Sequence, residues 1–284
     1  MTWDVDSIEN RDPEFIRKLA WAVGPFLERY FSPEVRGLEN IPEGAALYVG
    51  NHSGGLFPAD SFIFGKRVLE QIGIDAVPYG LAHDQAMRAP GLQQILAPLG
   101  GVRASESAAH RLFAAGKKVL VYPGGDVESL RPYKDRNRLT FGGRQGYMRL
   151  AIREGVPIVP LVAAGAHATF VILDDGAWLA KALHLDELLR LKVWPIALAL
   201  PWGVMVGTIP YFPLPTRILI EALPPVYFER TGEDAASDDA YVAAQDEALR
   251  TRMQAVLTRL AAERGSRLAD ARGRISRWLG DVTR

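Results

Sequence analysis

A chain of 284 residues with 33 basic and 33 acidic side chains has no overall field to draw it to nucleic acid or an anionic surface. It contains no cysteine, which excludes disulfides, thiolate metal sites, iron–sulfur clusters and a thiol nucleophile together. The length allows one large domain with a full core, and the acidic start MTWDVDSIENRDPEF lacks the basic-then-apolar pattern of an export signal, so none is expected.

The first predicted element is a helix over Pro13–Phe31, where Phe15, Leu19, Ala22, Val23, Phe26, Leu27 and Tyr30 recur at three-to-four spacing. It reads equally as a helix packed on its own core or as one lying on a membrane. Trp21 widens its apolar face, and Arg17, Lys18 and Arg29 border it. From Leu38 onward, β-rich runs alternate with helical ones. Strands are expected at 45–50, 76–80, 118–122, 158–163 and 217–222, and helices at 60–72, 82–96, 105–115 and 143–154. Such alternation argues for an α/β fold, a central mostly parallel sheet flanked by helices. Ligands of such sheets bind beyond the carboxyl ends of the strands. The loops GNHSGG and YPGGD follow two of these strands and therefore fall at those ends.

From Val193 to Thr216, 24 residues pass without a charge. Pro195, Pro201, Pro210, Pro213 and Pro215 make the stretch a poor membrane-spanning helix. It is either a buried wall or a surface dipping into lipid, and Trp194, Trp202 and Tyr211 suit an interface. A polar linker, RTGEDAASDD, then leads through Ser237 as N-cap into a helix over 238–264, with Gly265 as its stop. Tyr241, Ala244, Ala248, Met253, Val256, Leu257 and Leu260 are its expected inner face. The basic segment beyond it, with Leu268, Ile275, Trp278 and Leu279, is a solvated helix or a membrane-surface helix. The expected organisation is an amphipathic membrane-associating helix over 1–36, an α/β domain over 37–228 and C-terminal helices over 229–284.

His52 stands directly after an apolar run, in a loop of glycine, proline and small residues that ends on Asp60. An imidazole is the side chain most easily made a general base near neutral pH, and a carboxylate on one ring nitrogen can fix its tautomer. The elbow pattern G-x-S-x-G of serine hydrolases is absent, so the base is expected to activate a hydroxyl brought by a substrate.

Four ordered blocks between about Gly37 and Pro225 resemble the glycerolipid acyltransferase family: NHSGGLFPAD, LGGVRAS, VLVYPGGDVES and GVPIVPLVAAG. The resemblance implies His52 as catalytic base with Asp60 holding its ring. It makes Asn51, Ser53, Gly101, Arg103, Pro123, Gly124, Gly125 and Glu128 substrate-binding candidates. Seven residues separate His52 from Asp60 where the family has four. In the third block the family's glutamate and arginine are replaced by Gly124 and Val127, which is similar to the branch containing diacylglycerol and monoacylglycerol acyltransferases. A basic run, LRPYKDRNRLTFGGRQG, adds Arg131 and Arg144, with Lys134, Arg136 and Arg138, as candidates for holding phosphate.

The function so implied is a membrane-associated O-acyltransferase moving a fatty acyl group from acyl-coenzyme A (acyl-CoA) to a glycerolipid hydroxyl without a covalent intermediate. A lysophosphatidate-type acceptor stands ahead of mono- or diacylglycerol. Amides of Gly124 and Gly125 would meet the oxyanion, and Val193–Pro215 with Phe57 and Phe62 would line the acyl chain. Partners would be acyl-CoA as co-substrate, a lipid acceptor and the cytoplasmic face of a membrane, where the protein is peripheral or monotopic. No cofactor, metal or nucleic acid is expected. His167 is expected to line the pocket, while His83, His110 and His184 have no paired ligands. The alternatives are a thioesterase whose histidine activates water and a non-catalytic lipid-binding protein.

Overall fold

The computed structural model describes residues 3–55, 57–88, 91–184, 193–207 and 209–265, so the basic segment beyond 265 lies outside the described residues. Among the described residues there are ten strands: β1 (Glu34–Arg36), β2 (Ala46–Gly50), β3 (Tyr79–Ala82), β4 (Gly101–Arg103), β5 (Lys118–Val121), β6 (Ile158–Ala164), β7 (Val171–Asp174), β8 (Ile196–Ala199), β9 (Gly203–Val206) and β10 (Leu219–Ala222). Seven form the central sheet in the order β1-β10-β6-β2-β5-β3-β4, parallel except where β10 meets β6. The expected α/β fold with a mostly parallel sheet is therefore present.

β2 and β6, in the middle of the sheet, are buried at every residue, as strands covered on both faces must be. Their pleat divides the core. Leu47 and Val49 face a cluster shared with helices α5 (Glu106–Ala114) and α7 (Gly146–Glu154) and with the long C-terminal helix Asp239–Arg264. Ala46 and Tyr48 face a second cluster with α1 (Pro13–Phe31) and α2 (Ala59–Gln71). Both terminal helices thus belong to the cores of the sheet, and β1 pairs within it, so the chain runs into one core across 36/37 and 228/229.

Local differences have local causes. The helix expected at 82–96 is two short ones, α3 (Asp84–Arg88) and α4 (Gln93–Leu96), divided where Pro90 lacks an amide and Gly91 takes φ 81°. The C-terminal helix is capped by Asp238, whose carboxylate accepts the Tyr241 amide at 3.0 Å, and not by Ser237. Its buried stripe runs Val242, Asp246, Leu249, Met253, Leu257, Leu260 and Arg264, sharing only Met253, Leu257 and Leu260 with the expected face. Asp246 accounts for the shift: Tyr147 donates to it at 2.6 Å, so a charged position lies inside.

The charge-free stretch forms most of a second, antiparallel sheet, β7-β8-β9, that sequence periodicity did not reveal. The buried-wall reading holds for one face, and the other face is exposed. Ala197, Ala199 and Met205 point inward to Phe170, Ile172 and Tyr211, while Leu198, Val204 and Val206 are exposed. Trp202, Ile209 and Phe212 extend this outer surface. Tyr30 of α1 donates to the Pro213 carbonyl at 2.8 Å, tying the first helix to the same region. No described helix is long and apolar enough to cross a membrane.

Candidate active site

β2 ends at Gly50 between its neighbours β5 and β6, and the loop that follows is anchored on both. Asn51 is buried, donates to the Ala163 carbonyl at 2.9 Å and accepts the Ala163 amide at 2.8 Å, which fastens the loop to β6. Both polar atoms of its side chain are engaged there. His52 follows, and its main-chain amide donates to Glu128 Oε2 at 3.0 Å. Its ring Nδ1 lies 2.9 Å from the Ser53 carbonyl. A carbonyl can only accept, so Nδ1 carries the proton and Nε2 the lone pair. Among the described residues Nε2 has no hydrogen-bond partner, and it is not sealed from solvent. Burial of the rest of the ring pushes its pKa down to about 4, so the imidazole is neutral at pH 7.

Asp60 sits in the first turn of α2, nine-tenths buried or more, and accepts the Ser61 amide at 2.9 Å. It makes neither a hydrogen bond nor an ion pair with His52, so the expected pairing of ring and carboxylate is not formed. Tyr122 contacts both the imidazole and the residue that follows Asp60. Its ring lies against the imidazole, centroids 4.9 Å apart, and its hydroxyl shares a 2.5 Å hydrogen bond with Ser61 Oγ. Ser53 Oγ is buried beside the Asp60 carboxyl but outside hydrogen-bond geometry. Burial raises the Asp60 pKa to about 6.

Across from His52, β5 runs into the turn Tyr122-Pro123-Gly124-Gly125 and the short helix α6 (Gly125–Ser129). Gly125, at φ 51°, donates its amide to the Tyr122 carbonyl at 3.1 Å, which takes it out of any oxyanion site. A Cβ there would also lie 2.6 Å from Arg144 Nη1. Gly124 is glycine because Glu128 and the Thr140 carbonyl fill the space a side chain would need.

Glu128 is fully buried, with His52 and Thr140 amides on its two oxygens and Arg131 at 3.5 Å. Burial pushes its carboxyl up against the pull of that guanidinium. Arg131 spends Nε, Nη1 and Nη2 on the carbonyls of Asp135, Glu128 and Arg136. Arg144 donates to the Pro123 and Gly124 carbonyls at 3.1 and 2.7 Å and to Asp126.

Gly101 and Arg103 belong to β4, three strand spacings or roughly 14 Å from β2. Gly101 admits the close approach of Leu96, and Arg103 pairs with Asp6 and Asp84. The structure therefore gathers Asn51, His52, Ser53, Pro123, Gly124, Gly125, Glu128 and Arg131 around one loop, with Arg144 on its rim, and sets Gly101 and Arg103 apart.

Tyr211, expected at an interface, and His167, expected to line the pocket, complete the site with Tyr122. Tyr211 stacks on Phe170 at 4.2 Å and reaches Gly54, so the second sheet rests on the His52 loop. His167 is buried on the turn after β6, its backbone against Gly54 and both ring nitrogens without a hydrogen-bond partner. Tyr122 is the residue that the sequence reading missed, and its signal was a polar ring at the end of a strand in YPGG. A groove lined by Ile41, Gly44, Ile74 and Lys118 opens at the opposite ends of the strands, where Lys118 donates to the Gly44 carbonyl; it has no part in this chemistry.

Residues 32–164, from β1 to the end of β6, match the family model described as Acyltransferase. Uncharacterized proteins of Mycobacterium bovis and Mycobacterium tuberculosis are 31% identical over 84% of this chain, which spans 64% of their length. Diacylglycerol O-acyltransferase 2 of Homo sapiens is 25% identical over 62% of this chain and 47% of its own. The 1-acyl-sn-glycerophosphate acyltransferase of Thermotoga maritima superposes with a TM-score of 0.49 at 18% identity, covering 89% of this chain and 82% of that one.

Proposed function

We propose that this chain, whose residues 32–164 match the Acyltransferase family model and which is similar to diacylglycerol O-acyltransferase 2, is a glycerolipid acyltransferase that transfers a fatty acyl group from acyl-CoA to the hydroxyl of a lipid acceptor, with His52 as general base. The observation that carries this is the neutral imidazole at the carboxyl end of β2, with its Nε2 lone pair unpartnered among the described residues. Nε2 takes the acceptor's hydroxyl proton as that oxygen attacks the thioester carbon. The C–O bond forms, the C–S bond breaks, and the imidazolium returns the proton to the leaving thiolate. No acyl-enzyme is needed. The Gly124 amide donates to no group among the described residues and lies in the turn after β5, whose Tyr122 touches the His52 ring, which suits it to the developing oxyanion. Such a donor is worth about 3–4 kcal/mol in other systems.

A neutral acceptor, mono- or diacylglycerol, is favoured by the engagement of Arg131, Arg144 and Arg103 with protein carbonyls and carboxylates. The similarity to diacylglycerol O-acyltransferase 2 points the same way. A lysophosphatidate-type acceptor is the second reading; Lys134 and Arg138 of the neighbouring loop form no ion pair among the described residues and could meet its phosphate. The outer face of β8 and β9, with Trp202 and Phe212, is the proposed seat on the membrane. Its chain stretch carries no charge, so its match is lipid rather than a charged partner. Exposed Trp21 and Phe26 of α1 would extend that seat. A donor made in the cytoplasm puts the contact on the cytoplasmic face, peripheral or monotopic.

Purified protein with acyl-CoA should release the free thiol only when an acceptor is added, tested across monoacylglycerol, diacylglycerol and lysophosphatidate vesicles. Release that ignores acceptor would make it a thioesterase, and release no greater than that of His52→Ala throughout would refute acyl transfer.

A further inference from the structure

We propose that His52 is set by its own loop and by Tyr122 and not by Asp60: the Ser53 carbonyl holds Nδ1–H, the Tyr122 ring supports the imidazole, and Asp60 anchors the Ser61 end of that support. The consequence for catalysis rests on the acyl-transfer reading; the arrangement itself does not.

Three contacts in series make the case. The imidazole packs on the Tyr122 ring at 4.9 Å with the planes 48° apart. The Tyr122 hydroxyl shares its 2.5 Å bond with Ser61 Oγ. The Ser61 amide, in turn, is held by Asp60 Oδ1 at 2.9 Å. Tyr122 itself is confined: a Cβ at Gly50 would come within 2.6 Å of its ring, so glycine there leaves just the space the ring fills. The longer spacing between histidine and aspartate puts Asp60 one element away, inside α2, while the turn that follows β5 supplies the residue that touches the ring.

The carbonyl of Ser53 does the work a carboxylate would do for the tautomer, since it accepts from Nδ1 and leaves Nε2 as the only site for a proton. It does so without a negative charge. The ring therefore gains orientation and little stabilisation of its protonated form, in keeping with its low pKa.

The full-length protein labelled with 15N-histidine reads this directly and without substrate. His52 should show a protonated Nδ1 and an unprotonated Nε2 at pH 7, and the same pattern in Asp60→Asn. An Nε2–H tautomer, or one that changes in Asp60→Asn, overturns the proposal. Kinetics supply a second arm. Tyr122→Leu should lower kcat by ~10²-fold with KM little changed, as misplacement of a reacting group does, and Tyr122→Phe, which keeps the ring, should restore most of it. Unaltered kcat in folded Tyr122→Leu also overturns it. An inactive wild type would refute acyl transfer instead, and the nuclear magnetic resonance result would still decide the tautomer.

Discussion

Glu128 Oε2 accepts the main-chain amide of His52 at 3.0 Å while its Oε1 accepts that of Thr140 at 3.1 Å. One carboxylate thus clamps the loop after β2 to the segment after α6, and Arg131 packs on it from within. Glu128→Gln can keep one of the two bonds at most, because its amide nitrogen cannot accept. Removing one side of a buried ion pair costs about 3–5 kcal/mol, so a urea titration should show a loss of about 3 kcal/mol. Acyl transfer should fall in the fraction that remains folded, since the amide before the catalytic ring has lost its hold.

Acid should leave the base intact longer than the ordinary histidine range implies. His52 titrates at about 4, so kcat/KM should stay level as pH falls through 6.5 and drop only on approach to 4. A pH–rate profile on acyl-CoA checks this; an acid limb near 6.5 contradicts it.

Stability carries two opposite pH terms. His52 is lowered on folding, so its contribution is present above 6.5 and lost as pH falls toward 4. Asp60 is raised to about 6, so its contribution is present below the usual carboxylate value and lost as pH rises through 6. Asp60→Asn removes the second term. Its unfolding free energy relative to wild type should therefore climb by on the order of 3 kcal/mol between pH 3.5 and 7, measured by urea unfolding across that range.

Gly55 and Gly44 share φ 72° but differ in surroundings, which separates strain from crowding. A Cβ at Gly55 would collide with Tyr211 and the Phe170 ring; at Gly44 it would meet nothing within 4 Å. Gly44→Ala should cost about 1 kcal/mol, the backbone term alone. Gly55→Ala should cost about 1–3 kcal/mol beyond that from overpacking, with a change in tryptophan emission as the second sheet shifts.

Val204 and Phe212 are each about two-thirds exposed on the outer apolar surface. Val204→Glu with Phe212→Ser should leave the melting temperature nearly unchanged, as exposed substitutions do. Binding to phosphatidylcholine vesicles should weaken at least ~10-fold, since burying such side chains is worth about 1.5–3 kcal/mol apiece. Equal sedimentation of the variant with vesicles would rule out this face as the membrane seat.

Local chemistry wrote much of this protein into its sequence. Apolar runs such as ALYV and IVPLVAA, alternating with amphipathic stretches, determine a parallel sheet, and they carry His52 to the carboxyl end of a central strand. The antiparallel β7-β8-β9 sheet was hidden because its prolines and lack of charge mask the two-residue alternation that separates Met205 from Val204 and Val206. Hydrogen-bond allocation was hidden more deeply. Glu128 and Arg131 look in sequence like groups offered to a substrate, and Asp60 looks like a partner for His52. Only the packed structure brings Glu128 to an amide 76 residues away and sets Tyr122 before Asp60. Periodicity registers which face of an element is apolar; which donor meets which acceptor depends on segments far apart in the chain, and that is decided when they pack.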